Sequence, residues 1–205
     1  MKKILLFLLA ATTAFATSAP KTHDGFFFNA TMGLGYSSFS DDMDHGAATL
    51  DCQGAAYAAS LKLGGTVYPN LILHFTMQGF TLFPDLEKKN KYGQKETLTH
   101  DGFKLFMMGG GLTYYFLGEQ NLYVSASAGI NDVSLELNAM DYKFENLDTG
   151  FSFMISIGKE WWINDEWGLG VSLTYNHYSA SGDYRGEENK ASANSFAVEA
   201  TITFN

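Results

Sequence analysis

One cysteine, few basic residues and no long apolar run set the first limits on this chain. Cys52 stands alone among 205 residues, so no disulfide can form within the chain. In an exported protein such a thiol is either free or paired between chains, and the ordinary reading is a loop thiol without a role. Lys and Arg number 13 against 22 Asp and Glu, a net charge of −9. An acidic chain of this kind lacks the footprint that nucleic acid requires. The apolar run Ile4 to Ala11 is too short for a membrane helix, which needs about 20 residues, and nothing downstream approaches that length. There is no phosphate-binding glycine loop, dinucleotide fingerprint, zinc-ligand spacing or internal repeat, so no cofactor and no metal is expected.

What is present begins with a leader. Lys2 and Lys3 form a positive n-region, Ile4 to Ala11 an apolar core, and Ala14-Phe15-Ala16 a small-x-small cleavage site, with Thr17-Ser18-Ala19 as a second. Residues 1–19 therefore read as a signal peptide, cleaved after Ala16 or Ala19. No cysteine stands directly after the apolar core, which argues against a lipoprotein anchor. Residues 20–205 have the length of one domain. Loss of Lys2 and Lys3 makes that domain more acidic still.

The chain is 46% hydrophobic and 15% aromatic, yet its apolar residues are interleaved with polar ones. The closing segment Ser195 to Asn205 shows the pattern most cleanly: Phe196, Val198, Ala200, Ile202 and Phe204 alternate with Ala197, Glu199, Thr201 and Thr203. Period-two alternation is the signature of a strand with one apolar face. Seven more stretches follow the same rule, about Phe26–Ser38, Gly54–Val67, Leu71–Phe83, Gly102–Phe116, Leu122–Asn131, Gly150–Trp162 and Trp167–Ser179. Gly109-Gly110-Gly111 predicts a bulge in the fourth. Asp132 to Thr149 is a long loop that would make ten strands if it held a further hairpin.

Short connections (Tyr68-Pro69-Asn70, Leu117–Asn121, Ile163–Glu166) alternate strictly with long ones. Strands of about 9–11 residues cross a bilayer when tilted, and a sheet in lipid must close because unpaired edge amides have no partner there. The expectation is an all-β, eight-stranded antiparallel up-and-down barrel in the outer membrane, short turns and both termini periplasmic, long loops outside. Aromatics near the strand ends would form the interfacial girdle: Tyr114, Phe116, Trp161, Trp167 and Phe204 at the periplasmic boundary, and Tyr36, Phe80, Phe103 and Tyr175 at the outer one.

The stretch Gly158-Lys159-Glu160-Trp161-Trp162, with Asp165 and Trp167-Gly168-Leu169-Gly170, resembles a hairpin that recurs in small outer-membrane barrels. With the closing strand it is similar to the broad OmpA/OmpX-like eight-stranded class. That resemblance implies insertion by machinery that reads the closing strand, Phe196, Val198, Ala200, Ile202 and Phe204. Asn205 departs from the commoner ending, in which the aromatic comes last.

An eight-stranded barrel is narrow enough for side chains to fill. Lys62, Glu160, Glu199 and His74 fall on the lumen parity, and buried charge needs a partner. A Lys62–Glu199 contact is expected, each residue lying five from the periplasmic end of its strand, with Glu160 as the alternative partner. Such a network reads first as a structural plug and second as a gate or proton path. Strand 7 ends in His177-Tyr178-Ser179-Ala180, which resembles lipid A deacylases; by that analogy Ser179 is the nucleophile, His177 the base, and Glu187 or Glu188 the orienting acid. The family places Asn after the Ser, where this chain has Ala180. Asp41, Asp42, Asp44 and Asp51 crowd the first long loop, and Lys88, Lys89, Lys91 and Lys95 the second; both read first as solvated loops, and second as sites for divalent ions or lipid phosphates. The functional expectation is a non-enzymatic envelope protein in contact with outer-membrane lipids and lipopolysaccharide, with loops open to a surface partner. The alternatives are a lipid A esterase and a narrow pore.

Overall fold

The computed structural model describes residues 21–43, 48–90, 92–98, 102–117, 120–137, 140–143, 149–184 and 187–205. The signal segment 1–19 and Asp44 and Lys91 of the long loops lie outside them. Eleven strands run in the order β1 (Phe26–Met43), β2 (Ala48–Tyr68), β3 (Leu71–Leu82), β4 (Leu86–Asn90), β5 (Lys95–Leu98), β6 (Gly102–Leu117), β7 (Leu122–Leu137), β8 (Met140–Lys143), β9 (Gly150–Trp162), β10 (Trp167–Tyr184) and β11 (Glu187–Phe204). Eight of them, β1-β11-β10-β9-β7-β6-β3-β2, pair in a ring that closes through β1–β2, every pairing antiparallel. The seam joins the closing strand to the first, from Phe28↔Phe204 to Asp42↔Lys190. The barrel has eight strands and not ten: β4 pairs with the upper end of β2, β5 with β4, and β8 with the upper end of β7, all on the long connections.

The wall strands run on beyond the stretches that alternate. β1 and β2 stay paired as far as Met43↔Ala48, and β10 and β11 as far as Tyr184↔Glu187. Much of the long connections' polar sequence is thus paired as hairpin. The glycine-rich part of β6 keeps an unbroken register with β3, from Leu71↔Tyr114 to Leu82↔Phe103. No bulge forms there. Instead, Gly109 permits a close approach: a Cβ at this position would lie 2.0 Å from the Ala128 carbonyl oxygen. The register shifts fall beside two of the short turns, at Thr66/Tyr68 and Tyr115/Leu117.

Asparagine shapes all three short turns. Asn70 and Asn121 adopt left-handed φ of 63° and 48°, which Asn tolerates better than other residues with a Cβ. In the third, the Asn164 carboxamide oxygen accepts from the amides of Glu166 (2.9 Å) and Trp167 (2.8 Å). Both ends of the described chain meet at this turn: the Lys21 amide donates to the Asp165 carbonyl (2.8 Å) and the Asn205 amide to the Glu166 carbonyl (3.0 Å).

Candidate functional site

Parity divides each wall strand between outside and inside. Met32, Leu34 and Tyr36 of β1, Ile155 and Ile157 of β9, and Phe196, Val198 and Ile202 of β11 are exposed on the outer surface. Asn29, Thr31, Gln78, Ser125, Asn176, Glu160, Glu199 and Thr203 are buried within. A water-soluble barrel buries its apolar side chains; this one turns a belt of them outward and closes its polar ones in. Only a hydrocarbon surround stabilises that arrangement, and the closed ring leaves no edge amide for lipid to strand.

Aromatic rings mark the turn end of the belt. Trp167 lies 5.2 Å from Phe204, which lies 6.3 Å from Phe26, and Phe28 meets Trp167 at 6.4 Å. Tyr114, Phe116 and Trp161 are exposed on the same rim, with the Lys159 ammonium 5.5 Å from the Trp161 ring centre. At the other end Tyr175 and Phe196 pack at 4.7 Å. Phe80 and Phe103, expected in this second girdle, are instead fully buried inside the barrel. Phe80 shares parity with His74, Thr76 and Gln78, and Phe103 with Leu105 and Met107. In Phe103–Met108 both faces carry large apolar residues, Phe103, Leu105 and Met107 on one and Phe106 and Met108 beside Lys104 on the other, so the sequence there does not reveal which side is lumen.

The lumen is filled in layers. Toward the long connections lies an apolar plug that includes Phe39, Phe80, Phe103, Leu105, Met107 and Tyr178. At the turn end a smaller one combines Phe27, Ile72, Tyr115 and Tyr123. His23, just before β1, completes it by stacking on Tyr115 (ring centres 3.4 Å apart) and Trp162 (5.1 Å). Between the plugs sit the predicted charges. Glu199 accepts from Thr31 Oγ1 (2.9 Å) and from the Thr174 hydroxyl. Glu160 accepts from the Tyr115 hydroxyl (3.0 Å) and Thr203 Oγ1 (2.6 Å). Lys62 donates to Ser125 Oγ (3.1 Å), and His74 bonds Thr76 (2.9 Å) and Thr113 (3.0 Å).

The expected Lys62–Glu199 ion pair does not form, nor does Lys62 pair with Glu160. An ion pair forms instead on the second long connection, where Lys95 meets Glu87 at 2.7 Å. Barrel stagger explains the miss. Lys62 is opposite Asn29, and Asn29 is opposite Thr203, so Glu199 lies four residues further along β11. Counting from strand ends ignores the tilt that closure imposes. The hydroxyls that take the ion pair's place, Thr31 and Thr174 donating to Glu199 and Ser125 accepting from Lys62, lie on lumen parity, and that alternation was visible in the sequence.

Ser179 and His177 face outward at the upper end of β10. Ser179 Oγ donates to the Phe151 carbonyl (3.0 Å), and His177 Nδ1 bonds Asn194 Oδ1 (3.0 Å), so the two are not joined to each other. Glu187 and Glu188 lie in β11 opposite Tyr184 and Asp183. Of the first-loop aspartates, Asp41 is buried on the lumen side, whereas Asp51 is exposed and accepts from Ser40 Oγ (2.7 Å). The two point to opposite faces of the wall. Cys52 is buried too, its thiol donating to the Pro84 carbonyl (3.2 Å).

A closed eight-stranded barrel, apolar outside and polar at its centre, defines an integral membrane β-barrel protein. The chain belongs to the outer membrane protein beta-barrel domain family, whose model matches residues 7–204; its barrel is of the OmpA/OmpX-like kind, and its place is the bacterial outer membrane. Among solved structures it is similar to neisserial surface protein A (NspA), at 17% identity over 92% of this chain and 99% of that one with a TM-score of 0.51. It is likewise similar to the outer membrane protein OprG from Pseudomonas aeruginosa, at 14% identity over 91% and 99% with a TM-score of 0.51. At these identities the likeness is one of fold. No curated protein matches the chain significantly.

Proposed function

We propose that this chain is a non-enzymatic, plugged barrel that contributes to envelope integrity and presents its long connections to the cell exterior as a binding surface. The carrying observation is the filled lumen, in which two apolar plugs enclose the charged layer around Lys62, Glu160 and Glu199. In this reading residues 1–19 are removed on export, leaving 20–205 as the barrel. The insertion machinery reads the outward row Phe196, Val198, Ala200, Ile202 and Phe204. Short turns and both termini are periplasmic, and lipids and lipopolysaccharide surround the belt. The test is surface labelling of intact cells combined with recordings from the purified protein in planar bilayers. Labelling at Lys88 and Lys89 with silent bilayers is the expected result; recovery as a soluble periplasmic protein, or reproducible conductance steps, would overturn it.

The esterase alternative needs Ser179 and His177 to act together. Their separate bonds, to Phe151 and Asn194, favour the non-enzymatic reading. Expression should leave the acyl chains of lipid A unchanged by mass spectrometry. Loss of a chain that is restored in Ser179→Ala would establish the esterase instead.

A further inference from the structure

The outer surface of β9, β10 and β11 changes character along its height, and the change is matched on all three strands. At mid-height a groove of about 450 Å³ is lined by Leu34, Ile155, Ile157, Leu173, Phe196 and Val198, among others. Above it the strands carry an amphiphilic rung. Phe153 packs on Tyr175 (6.0 Å) and His177 (5.4 Å), while Tyr175 Oη (2.8 Å) and His177 Nδ1 (3.0 Å) both bond Asn194 Oδ1. Above that rung lies an open pocket of about 680 Å³ lined by Gly150, Phe151, Ser179, Ser181, Lys190 and Ser192, among others. The Ser181 and Ser192 hydroxyls hold no partner among the described residues, and Lys190, exposed opposite Ser181 on β10 and Asp42 on β1, already holds an interaction that an incoming phosphate would share or displace.

We infer that this face is a specific docking site for a phosphorylated glycolipid of the surrounding leaflet. An acyl chain lies in the Leu34–Leu173–Val198 groove and a phosphate reaches Lys190, Ser181 and Ser192. The order of chemistries fixes the occupant. Hydrocarbon meets hydrocarbon in the groove, the aromatic, imidazole and amide groups of the rung lie where a lipid changes from chain to headgroup, and the ammonium with its hydroxyls lies where a phosphate begins. Each level is built from facing residues: Leu173 pairs with Ile157 and Val198, Tyr175 with Ile155 and Phe196, His177 with Phe153 and Asn194, and Ser181 with Lys190. A partner protein would find no continuous polar rim around the groove, which lies within the apolar belt.

The site rests on the membrane placement above but not on the proposed role, and binding in micelles does not depend on which end faces out. The purified barrel in detergent is incubated with lipid A carrying its phosphates and, in parallel, with chemically dephosphorylated lipid A of the same acyl chains. Retained lipid is read by native mass spectrometry. The wild type should retain the phosphorylated form about five-fold more, the order expected for one basic group near a charged headgroup. Lys190→Ala should bring that ratio close to one while keeping acyl binding. Leu173→Trp, which fills the groove from an outward position, should reduce retention of both forms. Heat-modifiable migration checks that each variant is folded. Equal retention of the two forms by the wild type would mean bulk lipid contact only and would overturn the site, as would an unchanged ratio in Lys190→Ala. A dimer lost in Leu173→Trp would show that a second copy occupies the groove, and would overturn it equally.

Discussion

Glu160 shows what the interior demands of a single charged side chain. With no cation against it, the carboxylate is held by two hydroxyl donors, Tyr115 and Thr203. A buried acceptor left without donors costs about 1–3 kcal/mol for each one lost. Tyr115→Phe with Thr203→Val should therefore destabilise the barrel by several kcal/mol in urea unfolding, and adding Glu160→Gln should restore part of the loss. A double variant as stable as wild type would show that the two bonds carry no energy. His23, outside the wall strands, is a second residue with a readable consequence. Burial holds its imidazole below the ordinary value of 6.5, while its side-chain bonds to Asn121 and Asn205 and the charge of Asp24 act in the opposite direction. A pKa depressed by docking means that protons bind better to the undocked segment. Docking of 21–25 is thus fully stable above pH 6.5 and weakens as pH falls below it. Trp162 fluorescence should report the loosening on acidification, and His23→Phe, which keeps the stack, should remove the pH response. The inward placement of Glu160 was legible from alternation alone, because period two assigns a face without needing a height, whereas that of His23, before the first strand, was not. Their partners were not legible, since partnership depends on the stagger between strands.

At the scale of elements, turns and strand ends follow different physics. Asn70 holds a φ of 63°, a region that costs an ordinary residue about 1–2 kcal/mol and a β-branched one more. Asn70→Gly should leave the unfolding midpoint near wild type, whereas Asn70→Val should lower stability by about 2 kcal/mol. Equal midpoints for the two would show that the turn relaxes. This turn was visible in the sequence because Pro69 and Asn70 carry their conformations with them. The upper halves of β1, β2, β10 and β11 were not. Toward their upper ends these hairpins carry polar residues on both faces, Ser40 outward and Asp41 buried on the lumen side, so the apolar–polar alternation fades and runs such as Ser40-Asp41-Asp42 or Glu187-Glu188-Asn189 read as loop although they pair in register. The first half of β6 fails in the opposite way. Phe103–Met108 carries large apolar residues on both faces, Phe106 and Met108 outward beside Lys104 and Phe103, Leu105 and Met107 inward to the plug, and that signal of a filled lumen could be recognised only once the register with β3 was known.

For the whole molecule, the layers of the lumen act in series. A path through the barrel must cross the plug around Phe39, Phe80, Phe103, Leu105 and Met107, then the charged layer, then the plug of His23, Phe27, Ile72, Tyr115 and Tyr123. Barriers in series are not removed by relieving one, because an apolar constriction too narrow for water blocks ions wherever it lies. Leu105→Ser with Met107→Ser should therefore leave planar bilayers silent, and so should Tyr115→Ala with Tyr123→Ala. Combining the four substitutions should produce discrete conductance steps. The opened pore should favour cations, because Glu160 and Glu199 outnumber Lys62 in the layer between the plugs, and Lys62→Met should strengthen that preference. Heat-modifiable migration separates a folded, open barrel from a collapsed one. If either two-residue variant conducts as well as the four-residue one, the other plug is no barrier, and the lumen is sealed at one end only.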